Sequence, residues 1–132
     1  MDWFKTGQSI VPKGAYATLY DIDSGLNFRI RRMGGTSHMD VEPATASDTA
    51  TFLKIAHNQW SWKSYAVILI ANGKYVACGI NAMPHGEQTI KNNNFNGQFC
   101  LHMINSRTHG SNSINAEHQR SITRAYNWAH KG

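Results

Sequence analysis

The chain has 132 residues, 13 Lys and Arg against 8 Asp and Glu, and a formal net charge of +5. One domain of ordinary size accounts for that length. Five Phe, five Tyr and four Trp carry too much apolar mass for a disordered coil. The longest apolar run, Tyr65 to Ala71, falls far short of the ~20 residues a membrane-spanning helix needs.

The start, Met1-Asp2-Trp3-Phe4-Lys5, lacks the basic stretch and apolar core of a signal peptide. The expectation is either a cytosolic protein or a module of a longer secreted chain. It would be one domain over 1–132, with 1–14 a linker or edge segment. Two cysteines make no disulfide framework. The positive charge favours acidic partners such as nucleic acid, anionic membranes and bacterial wall polymers. Yet Arg29, Arg31 and Arg32 form the one tight basic cluster, and an exposed strand face explains it better than a binding patch. With no recognition motif and no continuous basic stripe, nucleic acid is not an expected partner.

In chain order, residues 15–20 and 27–32 read as a β-hairpin. Phe28 and Ile30 alternate with Arg29 and Arg31, and Asp23-Ser24-Gly25 supplies the turn. Residues 46–57 read as a helix capped by Ser47 or Thr45, with Phe52, Leu53 and Ala56 on one face. A second hairpin pairs 66–71 with 74–80 through Asn72-Gly73, a pair suited to a type I′ turn. Pro84 to Gly97 is polar and rich in Asn and Gly, which predicts a long loop. Residues 98–104 then read as a strand. Asn115 can cap a final helix whose buried stripe is Ile122, Ala125, Tyr126 and Ala129. The expected fold is mainly β with two helices (α+β), a small antiparallel β-sandwich or barrel-like sheet with a C-terminal helix.

Reactive side chains crowd between residues 84 and 109, in Pro84-His85-Gly86, Gln98-Phe99-Cys100-Leu101-His102 and Thr108-His109-Gly110. On a strand, Cys100 and His102 share a face with Cβ atoms roughly 6.5–7 Å apart, too far for a direct hydrogen bond. A catalytic thiol there takes its base from elsewhere, and His85 is the candidate, because a nearby imidazolium stabilises the thiolate nucleophile. Cys100 is then expected to have a depressed pKa and a partly open surface. The plainer alternative is a small core residue. Cys78, in Val76-Ala77-Cys78-Gly79, fits that alternative well, and a Cys78–Cys100 disulfide would silence the nucleophile.

A second constellation competes. His38 and Asp40 stand at i and i+2 in Thr36-Ser37-His38-Met39-Asp40, and His102 or His109 can complete a three-ligand zinc site with an open water position. No compact zinc-helix motif is present. Otherwise these residues form a polar loop whose Asp40 and Glu42 cap the next segment.

At His85-Gly86 and Asn96-Gly97-Gln98-Phe99-Cys100-Leu101-His102 the sequence resembles the L,D-transpeptidase (YkuD-like) catalytic domain, a mainly β fold. That family has a His-Gly after one strand, a loop, then Ser/Thr-His-Gly-Cys, an aliphatic residue and Arg. Here Gln98-Phe99 stands in place of the second His-Gly, His102 in place of the Arg, and the His-to-Cys spacing of 15 is shorter. Asp21 to His118 also resembles modules behind peptidoglycan-binding repeats at the C-termini of bacterial wall proteins. The resemblance implies that Cys100 attacks a peptidoglycan stem-peptide carbonyl, with His85 as base and backbone N–H groups beside Cys100 holding the oxyanion. It implies extracytoplasmic action and no cofactor. His102 would bind substrate, serve as a second base or ligate metal.

Gly86 and Gly97 supply adaptable backbone around the loop, and Asn92-Asn93-Asn94 offers amides to a polar glycopeptide. Gly86, Asn94, Gly97 and His109 are therefore the candidate substrate contacts. Trp60 and Trp62 would share one strand face, for packing or for sugar stacking. Three function classes are in play. The first is a cysteine acyl-transfer enzyme on Cys100 and His85. The second is a zinc peptidase or amidase on His38, Asp40 and His102. The third is a wall-binding module without catalysis.

Overall fold

The computed structural model describes residues 5, 7–104, 106 and 116–129. The candidate contact His109 and the expected cap Asn115 lie outside the described residues. Six antiparallel strands close into a barrel: β1 (Tyr16–Asp21), β2 (Asn27–Gly34), β3 (Met39–Pro43), β4 (Ser61–Ala71), β5 (Lys74–Ala82) and β6 (Phe99–His102). Their order around the barrel is β1-β2-β3-β6-β5-β4, with β4 pairing back to β1. Among the described residues two α-helices accompany them, α1 (Ala46–Ile55) and α2 (Ala116–Ala129), with a short 3-10 turn at Gly7–Ser9. The mainly β, two-helix architecture is the one expected, and the barrel is the form it takes. No helix among the described residues is long and apolar enough to cross a membrane.

Period-two alternation builds the interior. Leu19, Phe28, Ile30, Val67, Leu69, Val76, Cys78, Ile80, Phe99 and Leu101 point inward and are buried together. Both expected hairpins form. Asn72 and Gly73 take φ of 52° and 72°, the conformation of a type I′ turn. Thr45 caps α1, accepting from the Asp48 amide at 3.2 Å. Its Phe52 stacks on Phe28, with ring centroids 4.8 Å apart. Ile10 and Val11 also join the core, held by Asn72 and Arg32 side chains that donate to their carbonyls.

Three features differ from the expectations. The segment read as a polar loop is strand β3, with Met39 and Val41 in the core. The buried stripe of α2 is His118, Ser121, Ile122 and Ala125, while Tyr126 and Ala129 are exposed. Finally, the basic cluster is divided. Arg29 is exposed, whereas Arg32 is buried and donates to the carbonyls of Val11, Gly34 and Gly35.

Candidate active site

The outer face of β6 carries the site. Phe99 and Leu101 face the core, so Cys100 and His102 face outward together, as the strand period requires. Leu101 pairs with Met39 on one side and Ile80 on the other, while Asp40 pairs with Cys100 and Gly79 with His102. Two rows of side chains therefore run across three strands.

The first row is aromatic. His38 stacks on His102 with centroids 4.8 Å apart and planes 13° from parallel. His102 in turn stacks on His118 of α2 at 4.1 Å and 11°. Gly79 makes room for that approach, since a Cβ there would lie 2.8 Å from the His118 carbonyl oxygen. The Nδ1 of His118 is 2.9 Å from Ser64 Oγ, which also meets Ser121 Oγ at 2.8 Å. Burial holds the His118 pKa down to about 4, so the innermost ring stays neutral in ordinary buffers.

The second row is Asp40, Cys100 and Asn81. Asp40 Oδ1 lies 2.9 Å from His38 Nε2 and orients that ring. Asn81 Oδ1 accepts from the Cys100 amide at 2.9 Å. That bond engages this N–H within the fold, so the Cys100 amide itself is not aimed at a substrate oxyanion.

His85 reaches Cys100 from the loop between β5 and β6. Its amide donates to the Gln98 carbonyl at 3.0 Å, and the Gln98 amide donates back at 2.7 Å, an isolated bridge two residues before Cys100. Gly97 permits it. A Cβ there would lie 2.5 Å from the His85 carbonyl oxygen, and φ is +123°. Gly86, at φ +69°, lies against the Gln98 side chain. Glu42 anchors the same loop, accepting from the Thr89 amide at 2.6 Å, the Thr89 hydroxyl at 2.5 Å and the Ile90 amide at 3.1 Å. Neither acid caps the segment that follows β3, as the polar-loop alternative had it: Glu42 holds this distant loop and Asp40 serves His38.

The result is a thiol–imidazole pair. Cys100 Sγ is 3.4 Å from His85 Nε2, and His85 Nδ1 donates to the Met83 carbonyl at 2.7 Å. A carbonyl only accepts, so in the neutral ring the lone pair is on Nε2, facing sulfur. Burial opposes the Cys100 thiolate, but hydrogen bonds and positive charge from His38 and His85 outweigh it and lower the pKa. The His85 pKa is raised, chiefly by its hydrogen bond to Cys100 and against the effect of burial. The two shifts favour a thiolate–imidazolium pair.

Cys100 is only 4% exposed, so the open thiol expected from the sequence is not observed. The rings that lower its pKa also cover it. His85 is half-buried, and 61%-exposed Trp62 packs on it with centroids 4.9 Å apart. Of the rings named in the site, these two are the ones that reach solvent. Trp60 does something different, packing on Phe52 and Phe95 in the core. Asn94 is exposed and, with Trp60 and Pro84, lines a separate surface hollow. Its neighbour Asn93 is buried and bonds the Pro43 carbonyl.

Cys78 behaves as the core residue it resembled. It is fully buried, its pKa is pushed up to about 12 by burial, and both cysteines are free. It points into the barrel and Cys100 points out, so the two cannot bridge. Among the described residues one donor cluster suits a metal: ligand atoms of His38, Cys100 and His102 lie within 4.8 Å of one another. Of the expected zinc ligands, His38 and His102 are in it, and sulfur stands where Asp40 was expected. Asn81 and His118 belong to the site without any local sequence signal, because each arrives through strand register or helix packing, whereas Trp62 was singled out only for packing or sugar stacking. The chain matches no family model, no curated protein and no solved structure.

Proposed function

We propose that the protein is a cysteine-dependent acyl-transfer enzyme, with Cys100 as nucleophile and His85 as its base. The observation that carries this reading is the 3.4 Å approach of Cys100 Sγ to His85 Nε2, with the far side of the ring held by the Met83 carbonyl. The thiol proton passes to Nε2, and sulfur attacks a peptide carbonyl carbon. A C–S bond forms, the C–N bond breaks, and the amine leaves with the proton from His85. An incoming amine or water then gives its proton to His85 and attacks the thioester, releasing the acyl group and restoring the thiol.

Bacterial wall peptide is the proposed substrate, with work outside the cytoplasm. That choice rests on the resemblance around His85-Gly86 and Cys100 and is consistent with the net charge of +5. Substrate reaches the sulfur past Trp62 and His85.

The test is to incubate metal-free protein with peptidoglycan stem peptides and examine the intact protein by mass spectrometry. An acyl adduct on Cys100, absent in Cys100→Ser and slow to form in His85→Ala, supports the reading. Turnover that survives Cys100→Ser would overturn it.

A further inference from the structure

We propose that His38, Cys100 and His102 bind a zinc ion, and that zinc holds the nucleophile silent. The binding claim stands on the donor cluster alone, whereas the silencing claim rests on the acyl-transfer reading.

Three donors of the right kind converge, two imidazoles and one sulfur, all within 4.8 Å of one another. All three residues are buried, with His38 1% and His102 2% exposed. The set is held close together, and binding an ion draws the donors slightly inward. Strand register places the donors, and His102 is clamped between the rings of His38 and His118. A further observation points to a metal rather than to packing. The Asp40 carboxylate bonds His38 Nε2 at 2.9 Å, the outer-shell arrangement that orients a metal-ligating histidine and raises its basicity. The other ring nitrogen, Nδ1, is then the one that would take the ion.

Donor chemistry selects the metal. Thiolate with imidazole suits zinc, whereas calcium and magnesium want oxygen ligands, and no carboxylate is in the cluster. Three protein ligands leave the fourth tetrahedral position open. On binding, a Zn–S bond forms and the proton that Cys100 shares with His85 goes to solvent, with no change of oxidation state. The sulfur lone pair that would attack a carbonyl is then held by the ion. His85, which also meets the sulfur, is not among the ligands.

The test uses the whole chain, stripped by a chelator and titrated with Co²⁺ as a spectroscopic probe. The expected result is one equivalent bound, with a thiolate-to-cobalt charge-transfer band that Zn²⁺ displaces. Zinc should protect Cys100 from alkylation, and a chelator should restore its reactivity. His102→Ala should lose both band and protection, and Asp40→Asn should weaken the affinity about 10–100-fold. Because a buried histidine variant can misfold, the unmutated protein alkylated at Cys100 is measured beside it and should show no band.

Absence of the band, its survival after Cys100 alkylation, or an unchanged alkylation rate with zinc bound would each overturn the proposal. Failure of the acyl-transfer reading looks different: the band forms and zinc protects, but metal-free protein gives no acyl adduct. Failure of the zinc site alone would leave that adduct forming in protein that binds no Co²⁺.

Discussion

Asp40 and Cys100 are register partners between β3 and β6. The carboxylate that orients His38 and the sulfur that His38 polarises are thereby set side by side by backbone pairing. The flanking pair, Met39 and Leu101, is buried in the barrel, so slippage by one residue would expose the core and scatter the site together. Barrel packing and thiol chemistry are thus coupled through one ladder.

Gly97→Ala should uncouple them. The added methyl meets the His85 backbone at 2.5 Å, and φ is +123°, so the His85–Gln98 bridge must open. Cys100 alkylation in metal-free protein should slow toward that of an ordinary thiol, with a stability loss of about 1–3 kcal/mol by urea unfolding. Gly73→Ala is the control. It also replaces a glycine of positive φ, +72°, but in open space at the tip of the β4–β5 hairpin, and should leave alkylation unchanged.

Trp62 should report the charge of His85. The rings lie 4.9 Å apart, and an imidazolium quenches indole fluorescence on contact. Emission should rise with pH as His85 loses its proton, at a midpoint above the usual histidine value because its pKa is raised. The step should vanish in Trp62→Phe and in His85→Ala. A midpoint at or below the usual value would contradict the proton sharing.

Asn81→Ala should cost about 1–3 kcal/mol in urea unfolding, because it leaves the buried Cys100 amide without its acceptor. Asn81→Asp keeps an acceptor oxygen and should recover the amide bond, but it adds negative charge beside the sulfur. Its Cys100 should alkylate with a higher inflection pH than the wild type.

The sequence made the local half of this site legible. Alternation placed Cys100 and His102 on one face, the His38-x-Asp40 spacing singled out two residues that bond each other rather than two metal ligands, and Asn72-Gly73 gave its hairpin. What stayed hidden depends on pairing between distant segments. β3 is five residues long with two acidic side chains, so Met39 and Val41 did not read as a core strand. Without β3 beside β6, nothing suggests that His38 stacks on His102. The α2 stripe was misread for a related reason. Its inner face holds His118 and Ser121, polar residues that find partners in Ser64 and His102, so apolar spacing pointed to Tyr126 and Ala129 instead. Nor does strand alternation reveal that the activating rings would also bury the thiol.

The most direct measurement is the rate of Cys100 alkylation against pH in metal-free native protein, with the modified residue located by mass spectrometry. The reactive species is the thiolate, so its fraction rises with pH through the Cys100 pKa. That pKa is lowered, and the inflection should fall below the ~8.5 of a free thiol. In His85→Ala it should move up, since the variant loses one of the two rings that favour the thiolate. An inflection at or above the free-thiol value, unmoved by His85→Ala, would contradict the account and leave Cys100 an ordinary buried cysteine.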